Sequence, residues 1–307
     1  QSNLAAVADV NNAAAAKIAN RYGCEVKQIE EILCDQSITA VLIATSTNTH
    51  SELLERATAA GKAVLCEKPV DLDLARAREC QSQIRKNGLP VMIGFNRRFD
   101  PNFSALRNAL VGGEIGKPEL LSITSFDPAP PPIEYVKSSG GLFKDMMIHD
   151  FDMANFIMGE IPETISAFGT SIINPEIREV GDIDTALVTM QYADGKLAII
   201  KNSRRASYGY DQRLELLGSD GLLQAQNMLE NTILKSTDKG VLSAKPTYFF
   251  LERYMTAFIA EWGAFMEVVL ENKTIPVTMD DGVIALAMAE AATTSLSKST
   301  PIHLSEI

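Results

Sequence analysis

The fold is decided by residues 40–69, which read AVLIATSTNTHSELLERATAAGKAVLCEKP. Two short apolar runs, 40–44 and 63–66, flank a stretch with helical spacing that ends at Gly61. Continuous apolar runs that alternate with helices are typical of parallel strands covered on both faces. This stretch therefore predicts a strand–helix–strand unit of a parallel α/β sheet.

The same alternation extends over the first third of the chain. Residues 4–8 form an apolar run ahead of an Ala-rich helix at 13–22, and the run 90–95 follows a further helix. We expect a Rossmann-type parallel sheet domain over residues 1–95. Because ligands of such sheets bind beyond the carboxyl ends of the strands, the polar residues that follow the strands should line one crevice. They are Asp9, Thr45, Asn48, His50, Glu67, Lys68, Asn96, Arg97 and Arg98.

Two of these residues suit a dinucleotide cofactor. An aspartate at the end of an early strand accepts hydrogen bonds from the adenosine ribose and repels the 2′-phosphate of NADP, so Asp9 predicts NAD; its alternative role is a helix N-cap. Lys68 follows a buried strand and precedes the rigid Pro69, so its side chain should point into the crevice. A surface ion pair with Glu67 is the alternative.

Residues 96–307 show a different pattern. After about residue 163, short strands are joined by turn signals such as Ala193-Asp194-Gly195. This pattern predicts an α+β domain with an open antiparallel sheet. The predicted elements are helices near 101–111, 248–270 and 282–297 and strands near 120–126, 185–192 and 213–217.

The segment that follows Gly140-Gly141 reads as one helix that stops at Gly159. On such a helix Asp145, His149 and Asp152 fall at i, i+4 and i+7 and share one face. The chain has three histidines, and His149 is the candidate for a group that exchanges a proton near neutral pH. Asp145, one turn away, would fix its tautomer. A metal site and a solvated face remain alternatives, since Asp-x-x-x-His-x-x-Asp also offers three ligands.

Composition excludes several classes of protein. A formal net charge of −11 over 307 residues argues against nucleic-acid binding, which needs a basic surface. No apolar run approaches the roughly 20 residues of a membrane span. The four cysteines form no CxxC pair, so we expect buried free thiols in a reducing cytoplasm. They are Cys24, Cys34, Cys66 and Cys80.

Four motifs occur together over nearly the whole chain. They are Cys66-Glu67-Lys68-Pro69, Gly94-Phe95-Asn96-Arg97-Arg98-Phe99-Asp100, the segment from Gly140-Gly141 to Asp152, and residues 202–213, which read NSRRASYGYDQR. This set resembles the glucose–fructose oxidoreductase / inositol dehydrogenase / MocA family, and its inositol dehydrogenases in particular. The resemblance implies NAD-dependent oxidation of myo-inositol to 2-keto-myo-inositol by a homotetramer assembled through the open sheets.

The resemblance also implies the roles of the site residues. His149 would take the hydroxyl proton as hydride leaves the same carbon for the nicotinamide, Asp145 would orient His149, and Lys68 would hydrogen-bond the reacting oxygen. Acid–base chemistry of this kind needs no metal. The expected cofactor-binding residues are Asp9, Thr45, Asn48, His50, Glu67, Lys68 and Arg97. Asn96, Asp127, Asp152 and Tyr210 would bind ring hydroxyls, with a structural role as the alternative for each. Arg204, Arg205 and Tyr208 could serve a subunit interface.

One departure from the family leaves alternatives open. The family begins with a strand and a Gly-x-Gly-x-x-Gly turn that binds the cofactor pyrophosphate, whereas the first glycine here is Gly23 and no such motif occurs. We expect a preceding segment of roughly 25–35 residues, one strand–turn–helix unit, in the gene product. The alternatives are a dehydrogenase of another polyol or aldose, and a catalytically silent sugar- or cofactor-binding relative.

Overall fold

The computed structural model describes residues 2–307, which form two compact units. The first unit comprises the chain as far as Phe95 together with Glu261–Val283. The second comprises Asn96–Ala260 and Ile284–Ile307. One division between the units falls after Phe95. The return of residues 261–283 to the first unit is a long-range contact that the order of the sequence did not indicate.

The first unit has the predicted α/β architecture with parallel strands. Strand β1 pairs with β2, and β3, β4 and β5 form a separate parallel sheet in that order. All four residues of β4 are buried, which explains its continuous apolar sequence. The strands are β1 (Ala6–Val7), β2 (Glu25–Val26), β3 (Ala40–Ile43), β4 (Ala63–Cys66) and β5 (Val91–Ile93). The helices are α1 (Asn12–Tyr22), α2 (Ile29–Cys34), α3 (His50–Ala59) and α4 (Leu74–Asn87).

The second unit is built on a seven-stranded sheet with the order β11-β10-β6-β9-β8-β7-β14. The α+β prediction is confirmed, with one difference: β6 and β9 are parallel, while the other neighbouring strands are antiparallel. The sheet strands are β6 (Pro118–Phe126), β7 (Thr164–Thr170), β8 (Thr185–Gln191), β9 (Leu197–Ser203), β10 (Asp211–Gly218), β11 (Gly221–Ala225) and β14 (Ile302–His303). A separate hairpin consists of β12 (Leu234–Thr237) and β13 (Gly240–Ser243).

Only one face of this sheet is well buried. Burial alternates along β8, as expected for a strand with one covered face. The covered face includes Val188 and Ile200, both 0% exposed, whereas Phe168 on the other face is 68% exposed. The helices of this unit are α5 (Pro101–Val111), α6 (Ile133–Ser139), α7 (Gly141–Asp145), α8 (Ile148–Met158) and α9 (Pro175–Glu179). Helices α10 (Phe250–Glu271) and α11 (Met279–Lys298) each contribute residues to both units.

The segment predicted as one helix after Gly140 is two helices. Helix α7 ends at Asp145 and α8 begins at Ile148. The carbonyl of Leu142 accepts hydrogen bonds from the amides of both Met146 and Met147, at 3.0 and 2.9 Å, and the second bond, which spans five residues, widens the turn and interrupts the helical ladder. The expectation that Asp145, His149 and Asp152 share one regular helix face was therefore wrong.

The expectation of buried thiols holds for two of the four cysteines. Cys66 and Cys80 are buried, and burial raises the pKa of the Cys80 thiol to about 12. Cys34 is exposed, because α2, which ends at Cys34, buries none of its residues, and Cys24, between α1 and β2, is half-buried. Among residues 2–307, the helices are too short or too polar to span a membrane.

Candidate active site in the second unit

The register of the large sheet brings three chain segments to one edge. Phe126 at the end of β6 lies opposite Ser203 at the end of β9 and opposite Asp211 at the start of β10. Asp127 and Arg204 follow the first two strands, so both lie at this edge. The backbone fixes them there, because the Asp127 amide donates to the Ser203 carbonyl at 2.9 Å.

A buried ion pair is hydrogen-bonded to side chains near this edge of the sheet. Arg97 Nη1 donates to Asp150 Oδ1 at 2.6 Å, and the side chains are 5% and 0% exposed. Asn202 Nδ2 donates to the other carboxylate oxygen at 2.8 Å, and Arg97 Nη2 donates to Ser125 Oγ at 3.3 Å. Burial raises the pKa of Asp150, and the Arg97 guanidinium opposes that effect. This network, Arg97–Asp150–Asn202–Ser125, ties the start of α8 to β6 and β9.

Beside it lies a cluster of charged groups around Asp145, the last residue of α7. The Tyr135 hydroxyl donates to Asp145 Oδ1 at 2.7 Å. Arg204 Nη2 lies 3.5 Å from Asp145 Oδ2 and 3.7 Å from Asp182 Oδ2. We call Tyr135, Asp145, Asp182 and Arg204 the Asp145 cluster.

Asp127 borders this cluster at the sheet edge. Burial raises the pKa of Asp127 to about 6, against the lowering effect of Arg204 and Arg97. The nearby carboxylates of Asp145 and Asp150 raise it further. A carboxyl group with this pKa is a hydrogen-bond acceptor at neutral pH and becomes a donor in mild acid.

His149 is the second residue of α8 and is partly exposed. Its neighbours Ile148 and Asp150 are both 0% exposed, so the backbone on either side is held in the core. The structure therefore presents a partly accessible imidazole from a firmly anchored helix start, four residues after Asp145. A side chain in this setting suits proton exchange with a ligand.

The other predicted substrate residues are all buried in the second unit. Asp152 is 1% exposed and is bound by Arg98, whose Nη2 donates to Asp152 Oδ1 at 2.6 Å. Tyr210 is 7% exposed and packs edge-on against Tyr254, with ring centroids 6.0 Å apart. Asn96 is 4% exposed. These surroundings favour the structural alternative for Asp152, while contacts with substrate stay a prediction for all three.

Arg97 lies among the same interior groups. We predicted it as a cofactor ligand because it follows a strand of the parallel sheet. Its guanidinium instead pairs with the fully buried Asp150 and lies over the Tyr254 ring, 5.7 Å from the centroid. This placement favours a structural role for Arg97.

Predicted cofactor residues in the first unit

The residues after β3 differ in accessibility. Thr45 and Asn48 are exposed, and the Thr45 hydroxyl hydrogen-bonds that of Thr49 at 2.7 Å. His50 is 1% exposed, with Nδ1 2.7 Å from the Pro69 carbonyl and Nε2 3.1 Å from the Thr45 carbonyl. Both ring nitrogens of His50 are thus used by the backbone, and the ring joins the ends of β3 and β4. This arrangement favours a structural role over direct contact with a cofactor.

The residues after β4 are held by a close approach of β5. The Gly94 amide donates to the Cys66 carbonyl at 2.7 Å. A Cβ at Gly94 would lie 3.2 Å from the Glu67 Cα, so this position favours glycine. Burial raises the pKa of Glu67, and the adjacent Lys68 opposes that effect. The Lys68–Pro69 peptide is cis.

The exposed strand ends fit parts of NAD. Asp9 is exposed just after β1 and accepts the Asn11 amide through Oδ1 at 2.7 Å. Helix α1 is capped by Asn11, whose side chain accepts from Ala13 and Ala14, so the N-cap alternative for Asp9 was wrong. A free carboxylate oxygen there suits the hydroxyls of an adenosine ribose. The Gly-x-Gly-x-x-Gly motif for the pyrophosphate does not occur in the 307 residues.

In residues 2–307, no three His, Cys, Asp or Glu side chains lie together in positions to hold a metal ion.

Family membership

Two family models cover most of the sequence. Residues 1–95 match the NAD-binding Rossmann fold of the GFO/IDH/MocA oxidoreductase family, and residues 103–224 match the GFO/IDH/MocA C-terminal domain. The chain belongs to the GFO/IDH/MocA family. It is thus a member of an oxidoreductase family whose cofactor is NAD, and the resemblance drawn from its motifs is confirmed.

Named relatives of this GFO/IDH/MocA protein act on inositols. It is 45% identical over 303 residues to the inositol 2-dehydrogenase of Rhizobium meliloti, covering 99% of this chain and 92% of that protein. It is 42% identical over 306 residues to the myo-inositol 2-dehydrogenase of Thermotoga maritima, with the same coverage of 99% and 92%. Its fold matches the crystal structure of scyllo-inositol dehydrogenase from Lactobacillus casei with bound NAD(H) and scyllo-inositol. That match has a TM-score of 0.91 and 30% identity, covering 98% of this chain and 91% of that one.

Three members of the Asp145 cluster were missed as site residues by sequence reasoning. Tyr135 lies in α6 after a Pro-rich loop, where no pattern marks it. Asp182 lies between α9 and β8, and it reaches the site through partners distant in sequence, the Leu142 amide and the Arg204 guanidinium. The position of Arg204 could have indicated the site. Arg204 directly follows β9, and the neighbouring strand β6 is followed by Asp127.

Proposed function

We propose that this protein oxidises a ring hydroxyl of a cyclic polyol with NAD, and that its substrate is myo-inositol. The single observation that carries this proposal is full-length similarity to inositol 2-dehydrogenases, 45% and 42% identical over nearly the whole chain. The cluster of carboxylates beside a partly exposed histidine in the second unit supports acid–base chemistry of the required kind.

In the proposed reaction a secondary alcohol becomes a ketone. His149 accepts the hydroxyl proton as the carbon–hydrogen bond of the same carbon breaks. Asp145 stabilises the protonated imidazole, and Lys68 donates a hydrogen bond to the oxygen as charge develops on it. When bound, NAD supplies the two-electron acceptor for the hydride. The products are 2-keto-myo-inositol, NADH and one proton.

The Asp145 side chain is held for this role within the second unit. One carboxylate oxygen accepts from Tyr135 at 2.7 Å, and the other faces Arg204 at 3.5 Å. Asp127, with its pKa near 6, offers a carboxylate acceptor to ring hydroxyls at neutral pH. Asn96 and Tyr210 are assigned to hydroxyl recognition on the sequence resemblance.

We assign NAD binding to residues 1–95 and substrate binding to residues 96–307. The exposed polar residues Asp9, Thr45 and Asn48 would hold the cofactor, and Glu67 and Lys68 would serve its nicotinamide end. Asp9 also favours NAD over NADP, since a carboxylate repels a 2′-phosphate.

We further propose a cytoplasmic homotetramer. The uncovered face of the large sheet carries exposed apolar side chains, among them Phe168 at 68%, Leu197 at 49% and Leu187 at 45%. Large exposed apolar patches mark interaction sites, and a second copy of the sheet would cover this one. The four free cysteines are consistent with a reducing compartment.

The test is steady-state reduction of NAD, followed at 340 nm, with a panel of cyclic polyols, acyclic polyols and aldoses. We expect the highest kcat/KM with myo-inositol. A higher kcat/KM with an aldose would overturn the substrate assignment. Absence of turnover with the whole panel, despite measurable NAD binding, would favour a silent sugar-binding relative.

A further inference from the structure

Arg204 is the most buried charged group of the Asp145 cluster. Its side chain is 1% exposed, whereas those of Asp145 and Asp182 are 13% and 14% exposed. Within residues 2–307 its Nε and Nη2 atoms have no hydrogen-bond partner, and Nη2 lies between the two carboxylates. A buried guanidinium without nearby opposite charge is strongly destabilising. The stability of this arrangement therefore depends on the two aspartates.

The two aspartates hold opposite ends of α7. Asp182 Oδ1 accepts the Leu142 amide at 3.0 Å near the helix start, and Asp145 is the last helical residue. Gly141 allows this contact, since a Cβ there would lie 2.8 Å from Asp182 Oδ1. Arg204 thus faces one carboxylate at each end of a five-residue helix.

The backbone of Arg204 is itself firmly placed. It directly follows β9, and its amide donates to the Asp184 carbonyl at 2.8 Å. The Asp184 side chain is fully buried and accepts the amides of Ile172, Ile173 and Asn174 at 2.8–3.1 Å. The guanidinium is therefore presented from a rigid part of the sheet edge.

We propose that Arg204 is a positioning residue that clamps α7 through Asp145 and Asp182 and so holds the Asp145 carboxylate in register with His149 for proton transfer. This inference rests on the proposed function. Arg204 acts through Asp145 and is too deeply buried to contact the substrate.

The clamp also has an electrostatic consequence at Asp127. Burial raises the pKa of Asp127 and Arg204 lowers it, so loss of the guanidinium should move the Asp127 pKa above its present value of about 6. The other charged groups that act on Asp127 are Arg97, which lowers its pKa, and Asp145 and Asp150, which raise it. A side chain that only filled space would have no such effect.

The test compares three variants of the whole protein with the parent. Arg204→Met removes the charge and keeps most of the length, Arg204→Lys keeps the charge, and Arg205→Met is the matched control because Arg205 is the exposed neighbour. For each we would measure kcat and KM, the pH profile of kcat/KM, and hydrogen–deuterium exchange of residues 141–149.

We expect Arg204→Met to lower kcat by roughly 10- to 100-fold, the usual effect of misplacing a reacting group, while KM for NAD is unchanged. On the acid side of the pH profile, kcat/KM of this variant should begin to fall at a higher pH than kcat/KM of the parent. Hydrogen–deuterium exchange in residues 141–149 should become faster. Arg204→Lys should recover much of kcat, and Arg205→Met should match the parent throughout.

Two outcomes would overturn the inference. One is that Arg204→Met has the same kcat and the same fall of kcat/KM in acid as Arg205→Met, whatever its melting temperature. The other is equal loss in the Met and Lys variants, which would show that shape rather than charge is required. If the parent oxidises no polyol, the proposed function fails, and the exchange comparison alone decides the clamp: unchanged exchange in Arg204→Met refutes it.

Discussion

The buried pair of Arg97 and Asp150 should contribute to stability and not to cofactor binding. The side chains are 5% and 0% exposed, so removal of one charge leaves the other without compensation in the core. Such single removals cost about 3–5 kcal/mol. For a unit of this size that corresponds to a fall in melting temperature of about 6–20 °C.

The design is a double-mutant cycle with Arg97→Met, Asp150→Asn and the combined variant. Asparagine preserves a hydrogen-bonding group toward Asn202, which now donates to Asp150 at 2.8 Å. We expect each single variant to be destabilised as above and the double variant to lose much less than the sum. Differential scanning calorimetry measures the stabilities, and titration calorimetry measures NAD affinity.

The same cycle decides between the two roles considered for Arg97. If Arg97 is structural, the double variant binds NAD with the parent affinity. Additive destabilisation would refute the coupling of the pair. A loss of NAD affinity of tenfold or more in a stably folded double variant would restore Arg97 as a cofactor ligand.

Three further predictions concern single side chains. Lys68→Met and His149→Ala should each lower turnover by roughly 10²–10⁴-fold with folding nearly intact, and parent-like NAD reduction by either would show that its assignment is wrong. The kcat/KM of the parent should fall as pH drops through about 6, where Asp127 gains a proton, and Asp127→Asn should make that limb less steep, because only protonation of the proposed base His149 then remains on the acid side; an unchanged limb in the variant would refute the assignment. Burial and the nearby Glu67 raise the pKa of Glu261 from 4.5 to about 8. The protonated Glu261 side chain therefore contributes its full share to the free energy of unfolding below pH 4.5, and this contribution is lost as the pH rises through about 8. Glu261→Gln should therefore flatten the dependence of melting temperature on pH between 5 and 8, whereas the exposed control Glu271→Gln should keep it; an unchanged slope in Glu261→Gln would contradict the shift.

The sequence predicted the architecture where local pattern and tertiary burial agree. The continuous apolar run at β4 indicated a strand covered on both faces, and all four of its residues are buried. The helix at Pro101–Val111 was placed correctly, with Asp100 as its N-cap. In contrast, the parallel pairing of β6 with β9 depends on the path of the chain through α6–α9, β7 and β8, which local patterns do not encode.

The site was harder to predict because its geometry depends on contacts distant in sequence. Periodicity placed Asp145 and His149 on one helix, but the bonds of two amides to Leu142 interrupt it. Asp152 was a candidate for ring-hydroxyl binding with a structural role as the alternative, and it is held by Arg98, 54 residues away. Arg204 shows the reverse: two adjacent arginines looked equivalent, yet one is buried against Asp145 and the other is exposed.

The most direct test of the central claim is isotope transfer. The protein would be incubated with NAD and myo-inositol carrying deuterium on the carbon of the 2-hydroxyl, and the nicotinamide product would be analysed by mass spectrometry. We predict NADH with one deuterium, formed in equal amount with 2-keto-myo-inositol. NADH without deuterium, or labelled inositol recovered intact alongside unreduced NAD, would contradict the assignment of hydride transfer from that carbon.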